Sequence, residues 1–492
     1  MSGGDLTIWG ISALSHDASI AVVRGSELLF AAHSERYSRV KNDRWLDQGL
    51  ISEARLYGSP DAIAWYERPY LKKLRHLRAG QWGDAVSRAD LPQRYLASLG
   101  LPVTDVRFVG HHESHAAAGM ATSGFADAAV IVADAIGEFD TLTVWDATSG
   151  SGLRRRFRLG YPHSLGLLYS AFTRRCGFRP NEDEYITMGM AAFGTPRYAD
   201  RIRDELVEVG EPGFRLRANV HRGIGDWLPQ AEPVDLAASI QSVTEQILLN
   251  LVHWARRQTI SRNLVLAGGV ALNCVANSAI AESGCFDRVW IFPNPGDAGS
   301  SMGAASVLSG VPVNWRGPYL GSDIHRPLDP ADVAARIGRS GVVAVANGRA
   351  EFGPRALGNR SILADPRSAE MKDRVNRIKG REKFRPFAPV IQEERAAEFF
   401  EMPVGATPFM QFTARCRQPE RFPAVVHVDG TSRVQTVTRE QHPLLHQALR
   451  EWEDATGCPM LLNTSLNSRG EPLVNSWDHA LAFAQREDLQ VL

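Results

Sequence analysis

No stretch of this chain stays apolar for the ~18–20 residues that a membrane-spanning helix requires, so no membrane segment is expected. Cysteine is sparse and scattered: Cys176, Cys274, Cys285, Cys416 and Cys458 form no CxxC pair and no even framework. That excludes a disulfide-stapled secreted scaffold and fits a reducing compartment. Excess charge is missing too. The 55 basic and 55 acidic residues cancel, leaving no overall field to draw nucleic acid or an anionic membrane. The opening MSGGDLTIWG has no basic stretch ahead of a long apolar core, so no secretory signal is readable and a cytoplasmic location is expected. What is there, 44% hydrophobic and 22% charged residues over 492 positions, matches a soluble globular enzyme of about three domains of ~150 residues.

Residues 6–34 read as strand, turn, strand, strand, with Arg24-Gly25-Ser26 as a hairpin turn between two apolar runs. The pattern returns at 128–147, again with an Asp near its start: Asp17 in the first unit, Asp134 in the second. Two such units suggest a duplicated α/β fold. A helical apolar period (Ile240, Val243, Ile247, Leu251) covers 235–259 and leads into the strand NLVLAGG. A Pro/Gly-rich stretch at 310–330 reads as a linker, and behind it VVAVAN reads as a strand. A helix near 366–379 follows, with Asp365-Pro366 as start, Met371, Val375 and Ile378 on one face, and Gly380 as stop. The basic segment 70–100 is helical and has no evident purpose.

His111 and His115, in VRFVGHHESHAAAG, stand four residues apart where a strand gives way to an Ala-rich helix. Residues i and i+4 share a helix face, close enough for two imidazoles to hold one metal ion. Capping or packed histidines would give the same spacing. Asp134, after an apolar strand, and Asp297, in the turn NPGDAGSSMGAA, add two carboxylates. Two imidazoles and two carboxylates suit Fe, Mn or Zn with a position left open.

Gly268-Gly269 follows a strand directly, and paired glycines let a backbone approach a base or phosphate. Gly296–Ser300 opens a small-residue helix whose N–H groups favour an anion; tight turns are the alternative for both. Residues 348–390 gather eight Arg and three Lys against five acids. Arg355, Arg360, Lys379 and Arg385 lie among Phe, Leu and Pro there, so they are expected to be partly buried. Buried guanidiniums need partners, and an acyl phosphate or polyphosphate is one, a salt-bridged network another. Arg433 on a strand, with Asn463, Thr464 and Ser465 after another, offers groups for a small neutral carbonyl head; turn-making explains the latter three equally. His16, beside Asp17, reads as a general base, a substrate contact or a turn histidine. NEDEYITMGMAAFG reads as packing or binding.

SHDAS, ERYSRVKND, HHESHAA, DAIGE, EDEYITMGMAAFG, LAGGVALN, NPGDAGSS, EFGPRALGNRSILADPR, REKFRPFAPV, HVDGTSRVQTV and LLNTSLNSRGEP occur in this order. Together they make the chain resemble the O-carbamoyltransferases of antibiotic and nodulation-factor biosynthesis (the NodU/CmcH family). The resemblance implies an α/β enzyme with a duplicated actin/hexokinase-like (ASKHA) carbamoyl-transfer domain over 1–320 and a YrdC-like α/β domain over 321–492. It implies that carbamoyl phosphate and ATP, with Mg2+, give carbamoyl-adenylate in the second domain. Carbamoyl then passes to a hydroxyl of a small-molecule acceptor in the first, aided by Fe(II) or another divalent metal.

By motif match His111, His115, Asp134 and Asp297 become metal ligands. Arg355, Lys379, Arg385, Arg433, Asn463 and Ser465 become the carbamoyl phosphate and adenylate site. Gly268, Gly269 and Asn273 become nucleotide contacts, and His16 and Lys41 catalytic residues near the acceptor and intermediate. Leu466 stands where the resemblance implies an aromatic at the pocket wall. The implied partners exclude nucleic acid and membrane. The alternatives are a threonylcarbamoyl-type tRNA modifier, which net neutrality disfavours, and a non-catalytic nucleotide-binding regulator. The acceptor itself, sugar, aminoglycoside, polyketide or nucleoside, is not specified.

Overall fold

The computed structural model describes residues 6–88, 90–101, 105–149 and 152–492. The first apolar runs form β1 (Thr7–Ser12), β2 (Ser19–Arg24) and β3 (Glu27–His33), an antiparallel meander turned at Gly25, whose φ is +57°. β4 (Ala62–Trp65) and β5 (Val106–Phe108) extend it in parallel on the other side of β1, in the order β3-β2-β1-β4-β5. The second unit repeats this connectivity. β6 (Asp127–Ala133), β7 (Asp140–Thr148) and β8 (Gly152–Gly160) form the meander. A small hairpin of β9 (Val207–Val209) and β10 (Phe214–Leu216) intervenes. β11 (Asn263–Ala267) and β12 (Arg288–Ile291) then add in parallel to β6. The N-terminal part is therefore a duplicated mixed α/β fold, as the two strand-turn-strand readings suggest. The helix Pro233–Gln258 buries Ile240, Val243, Ile247 and Leu251 completely.

Two helices lie between these sheets, His111–Ser123 and Ser300–Ser309. Their small residues let them touch. A β-carbon on Gly303 would come 1.8 Å from the Ser114 carbonyl oxygen, and one on Gly10 of β1 the same 1.8 Å from that of Ser301. Only hydrogen fits at these crossings.

The 310–330 stretch is more ordered than a linker: it holds β13 (Tyr319–Ile324), paired antiparallel with β15 (Gly348–Glu351). The C-terminal core is a largely antiparallel α/β sheet. It comprises β14 (Val342–Ala346), β16 (Arg360–Ala364), β17 (Ala388–Gln392), β21 (Gln435–Val437) and β22 (Met460–Ser465), in the order β14-β16-β22-β17-β21. β18 (Phe400–Glu401), β19 (Ala414–Cys416) and β20 (Thr431–Ser432) form a side sheet. The helix expected near 366–379 spans Ala369–Ile378, capped by the Ser368 hydroxyl on the Met371 N–H at 3.3 Å rather than started by Asp365-Pro366. Gly380, at φ +58°, follows its end.

Polar side chains stitch the N- and C-terminal parts to one another's main chain. Arg36 donates to Gly353 O at 2.8 Å and Arg39 to Pro472 O at 2.9 Å, while Asn277 reaches Gln411 O and Ser278 reaches Thr413 O, both at 3.0 Å. Among the described residues no helix is long and apolar enough to cross a membrane.

Candidate active site

The crossing of the two central helices assembles a four-residue cluster. His111 and His115 project from one helix with their Nε2 atoms 3.1 Å apart. Asp134, just past β6, places Oδ2 3.2 Å from His111 Nε2 and 3.8 Å from His115 Nε2. Asp297, at the turn before Ser300, places Oδ1 3.4 Å from both. All four ligand atoms lie within 4.8 Å of one another. Ser300 Oγ sits 3.0 Å from His115 Nδ1, and the Gly269 N–H donates to Asp134 Oδ1 at 3.2 Å, so neither residue is at liberty to turn away. Two ring nitrogens cannot both point N–H bonds at each other across 3.1 Å. Without a cation the arrangement needs bound protons. Burial opposes charging the histidines, yet the Asp297 and Asp134 carboxylates push both pKa values up, and the histidines in turn push both carboxylates down against burial. Two imidazole nitrogens and two ionised carboxylates converging in this way fit a hard-to-borderline divalent cation.

Asp134 and Asp297 form one wall of a cavity of about 1160 Å³ that runs between the N- and C-terminal parts. Close to the cluster, His16 Nδ1 lies 2.9 Å from Asp17 Oδ2. Burial opposes its protonation, but Asp17, with Asp297 and Asp134 behind it, raises His16 to about 9. Lys41 also lines the cavity, its Nζ 3.1 Å from Oε2 of buried Glu35. Gly269 and Asn273 line the wall between. The Asn273 carboxamide caps the helix Cys274–Glu282 through Ala276 N at 3.0 Å and donates to Gln241 Oε1 at 2.9 Å. Gly268 is not among the lining residues. Its φ is +83° and a β-carbon there would meet Ala133 O at 2.3 Å, so the glycine serves the turn rather than a ligand.

The C-terminal wall is cationic. Arg355, Lys379, Arg381, Arg385 and Arg433 all line it. Burial, reinforced by Arg433, lowers Arg355 to about 9, and burial with neighbouring cations lowers Lys379 and Arg381 as well. Such mutual repulsion is what an anion relieves. The Arg385 guanidinium lies 4.8 Å over the ring of Tyr185, which comes from NEDEYITMGMAAFG, and 3.6 Å from Glu382. Arg433 keeps a buried Nε with no partner. Lys379 is different, for its ammonium is surrounded by oxygens: Ser465 O, Ser465 Oγ at 3.2 Å, Asn467 O at 2.8 Å and Asn467 Oδ1 at 2.9 Å. Asn463 donates to Gln435 Oε1 at 2.6 Å and to Ala356 O at 3.2 Å. Because Gln435 Nε2 is engaged with Leu357 O at 3.1 Å, the amide orientation is fixed, and Asn463 Oδ1 is left buried without a donor.

Sequence comparison bears on this pair of walls. The family model described as Carbamoyltransferase N-terminus matches residues 66–306, and that described as Carbamoyltransferase C-terminus matches 334–492. The chain is 35% identical to an uncharacterized protein of Synechocystis sp., covering 99% of this chain and 95% of that one. It is 34% identical to nodulation protein NolNO of Sinorhizobium fredii, covering 97% and 78%. The chain belongs to the carbamoyltransferase family. The NolO protein of Bradyrhizobium diazoefficiens is 37% identical over 78% of the chain and 77% of its own length. Among solved structures, full-length HypF in its phosphate- and nucleotide-bound form covers 62% of this chain and 55% of its own at 14% identity, with a TM-score of 0.38.

Two further sequence expectations change in the carbamoyltransferase structure. Arg360 is fully buried and donates to five main-chain carbonyls, those of Asn475, Asn347, Gly348, Asn359 and Ser322, at 2.9–3.2 Å. Each of its three nitrogens is engaged by main-chain carbonyls, so it serves as a clamp and not as an anion ligand. Leu466 lies in the hydrophobic core at 0% exposure, not at the pocket wall. Sequence reading also passed over Arg381, Gln241 and Asn467. Arg381 had a signal, standing two residues after Lys379 in the basic segment; Gln241 and Asn467 had none.

Proposed function

We propose that this enzyme uses water to cleave carbamoyl phosphate to carbamate and phosphate, that the carbamate oxygen attacks the α-phosphate of ATP to give carbamoyl-adenylate as pyrophosphate leaves, and that carbamoyl then passes to a hydroxyl of a small-molecule natural product, releasing AMP and the hydroxyl proton. One observation carries the reading: a single cavity has on one side the two carboxylates of a cluster completed by His111 and His115 behind them, and a cationic wall on the other. In this reading the N-terminal part is the ASKHA-type transfer domain and the C-terminal part a YrdC-like activating domain.

Arg355, Arg385 and Arg433 neutralise the phosphates of carbamoyl phosphate and of Mg2+-ATP, and stabilise the charge that develops as they exchange. The unpartnered Asn463 Oδ1 accepts from the carbamoyl NH2, a group that phosphate and carboxylate lack. Lys379 acts through Ser465, holding the end of β22 beside the anion. Gly269 and Asn273 contact the nucleotide as the adenylate crosses the cavity. His16, oriented by Asp17, and Lys41, oriented by Glu35, present N–H donors to the adenylate phosphate as it leaves. His111, His115, Asp134 and Asp297 would hold Fe(II) or another divalent ion, and such an ion supplies Lewis acidity for the carbamoyl carbonyl.

The test needs no acceptor. Protein given carbamoyl phosphate, ATP and magnesium is expected to exchange labelled pyrophosphate into ATP only when carbamoyl phosphate is present. Arg385→Ala is expected to lower that exchange at least about 100-fold. Exchange that ignores carbamoyl phosphate, or none at all with ATP bound, refutes the adenylate.

A further inference from the structure

The basic segment that the sequence left without a role contributes a helix, Pro69–Arg78, to the cavity wall. Arg75 on this helix lines the cavity and is only 9% exposed. Its Nη2 donates to His76 Nε2 at 3.0 Å, and His76 Nδ1 donates to Gln81 Oε1 at 2.6 Å. That relay makes His76 a neutral tautomer, so it orients the guanidinium without balancing its charge. Arg75 Nε is buried and unpartnered, and among the described residues no carboxylate forms an ion pair with this guanidinium. The nearby acids are occupied or outside: Glu67 pairs with Lys72 at 2.7 Å, and the Asp84 side chain is 64% exposed. Glu67 and Lys72 cancel. One buried positive charge remains.

Its place in the cavity is the histidine–aspartate side. Lys72, one turn before Arg75, donates to Ser15 Oγ, next to His16, and the ring of Tyr66 lies 5.2 Å from that of His111. We propose that Arg75 is the residue by which the enzyme selects its acceptor, a hydroxyl compound that also carries a carboxylate. The proposal rests on the carbamoyl-transfer reading above. A carboxylate supplies the missing negative charge and matches the planar guanidinium fork, whereas a neutral polyol would leave the charge buried and unpaired.

The experiment compares matched acids and neutral partners: D-glucuronate with D-glucose, D-galacturonate with D-galactose, D-glycerate with glycerol. Metal-loaded protein receives labelled carbamoyl phosphate and Mg2+-ATP, and both label transfer and thermal protection by each compound are followed. The acids are expected to exceed their partners about tenfold or more in kcat/KM, or to raise Tm where the neutral compounds do not. Arg75→Gln should bring the ratio close to one through KM, and Arg75→Lys should restore part of it. Neutral compounds that do as well as acids with the wild-type protein overturn the assignment, whatever the variants do; so does an acid preference that survives in Arg75→Gln. Carbamoyl phosphate-dependent exchange separates the two ideas. Its absence in the wild-type protein sinks the transfer reading, while its presence without acid preference sinks only the role of Arg75.

Discussion

Lys379→Met removes a buried ammonium while keeping the length of its stem, and it tests whether that group holds the site together. The wild-type Nζ faces Ser465 O, Ser465 Oγ, Asn467 O and Asn467 Oδ1. Three charge-assisted hydrogen bonds contribute about 1.5–3 kcal/mol each, about 4.5–9 kcal/mol in all. Against that stands the several kcal/mol spent in burying an ammonium. Burial, with Arg381 and Arg385, presses its pKa down. The balance predicts a loss of about 3 kcal/mol, a fall of about 6–12 °C in the transition that reports the C-terminal part. Differential scanning calorimetry with and without denaturant reads it. Because Lys379 works through Ser465, the KM for carbamoyl phosphate should rise in the same variant. A Lys379→Met protein melting within about 2 °C of wild type would refute the reasoning.

Three further outcomes follow from the geometry. His442 is 7% exposed and caps a helix by accepting from Leu445 N at 3.1 Å, with Nε2 donating to Asn359 Oδ1 at 2.9 Å. Burial lowers it from 6.5 to about 4, so the unfolded chain binds a proton in that window and the fold does not. Stability should be full above pH ~6.5 and fall by about 3 kcal/mol as pH drops toward 4, and His442→Asn, which can still cap, should flatten that slope in urea titrations; identical slopes would count against it. Gly303→Ala pushes a methyl into the Ser114 carbonyl at 1.8 Å and should part the ligand helices, giving protein with native-like circular dichroism but little bound metal. Wild-type stoichiometry would contradict this. Ser300→Ala removes the partner of His115 Nδ1 and should weaken metal binding about tenfold by chelator competition, without abolishing it.

Much of the fold was readable because its signals are local. Alternation and a glycine turn mark β1 to β3, and the 3.6-residue period of Ile240, Val243, Ile247 and Leu251 marks the long helix. The histidine pair was readable because both ligands sit on one helix. What joins them to Asp134 and Asp297 is a helix crossing closed by Gly303, and a long-range contact leaves no periodic trace. Arg360 and Arg385 look alike in sequence, both basic among apolar neighbours. One ends among five carbonyls and the other over Tyr185, because main-chain acceptors are invisible until the chain has folded. Arg75 was hidden for the same reason. A basic helix reads as solvated until one of its charges proves to have no partner.

The seam between the two parts has a bearing on how such enzymes could be recombined. Arg36 and Arg39 reach into Gly353 and Pro472, while Asn277 and Ser278 reach into Gln411 and Thr413. In each case the receiving atom is a main-chain carbonyl, which every amino acid provides. Side-chain identity on the C-terminal face of the seam is thus under little constraint at these four contacts, whereas the donors on the N-terminal face are particular residues. The C-terminal part sends donors back in the same way: Gln411 Nε2 reaches Ile291 O, and Arg349 Nη2 reaches Leu29 O at 2.8 Å. A chimera that borrows either half from a distant relative keeps the contacts donated by the half it retains, so long as the backbone path is preserved, and must find again those donated by the half it replaces.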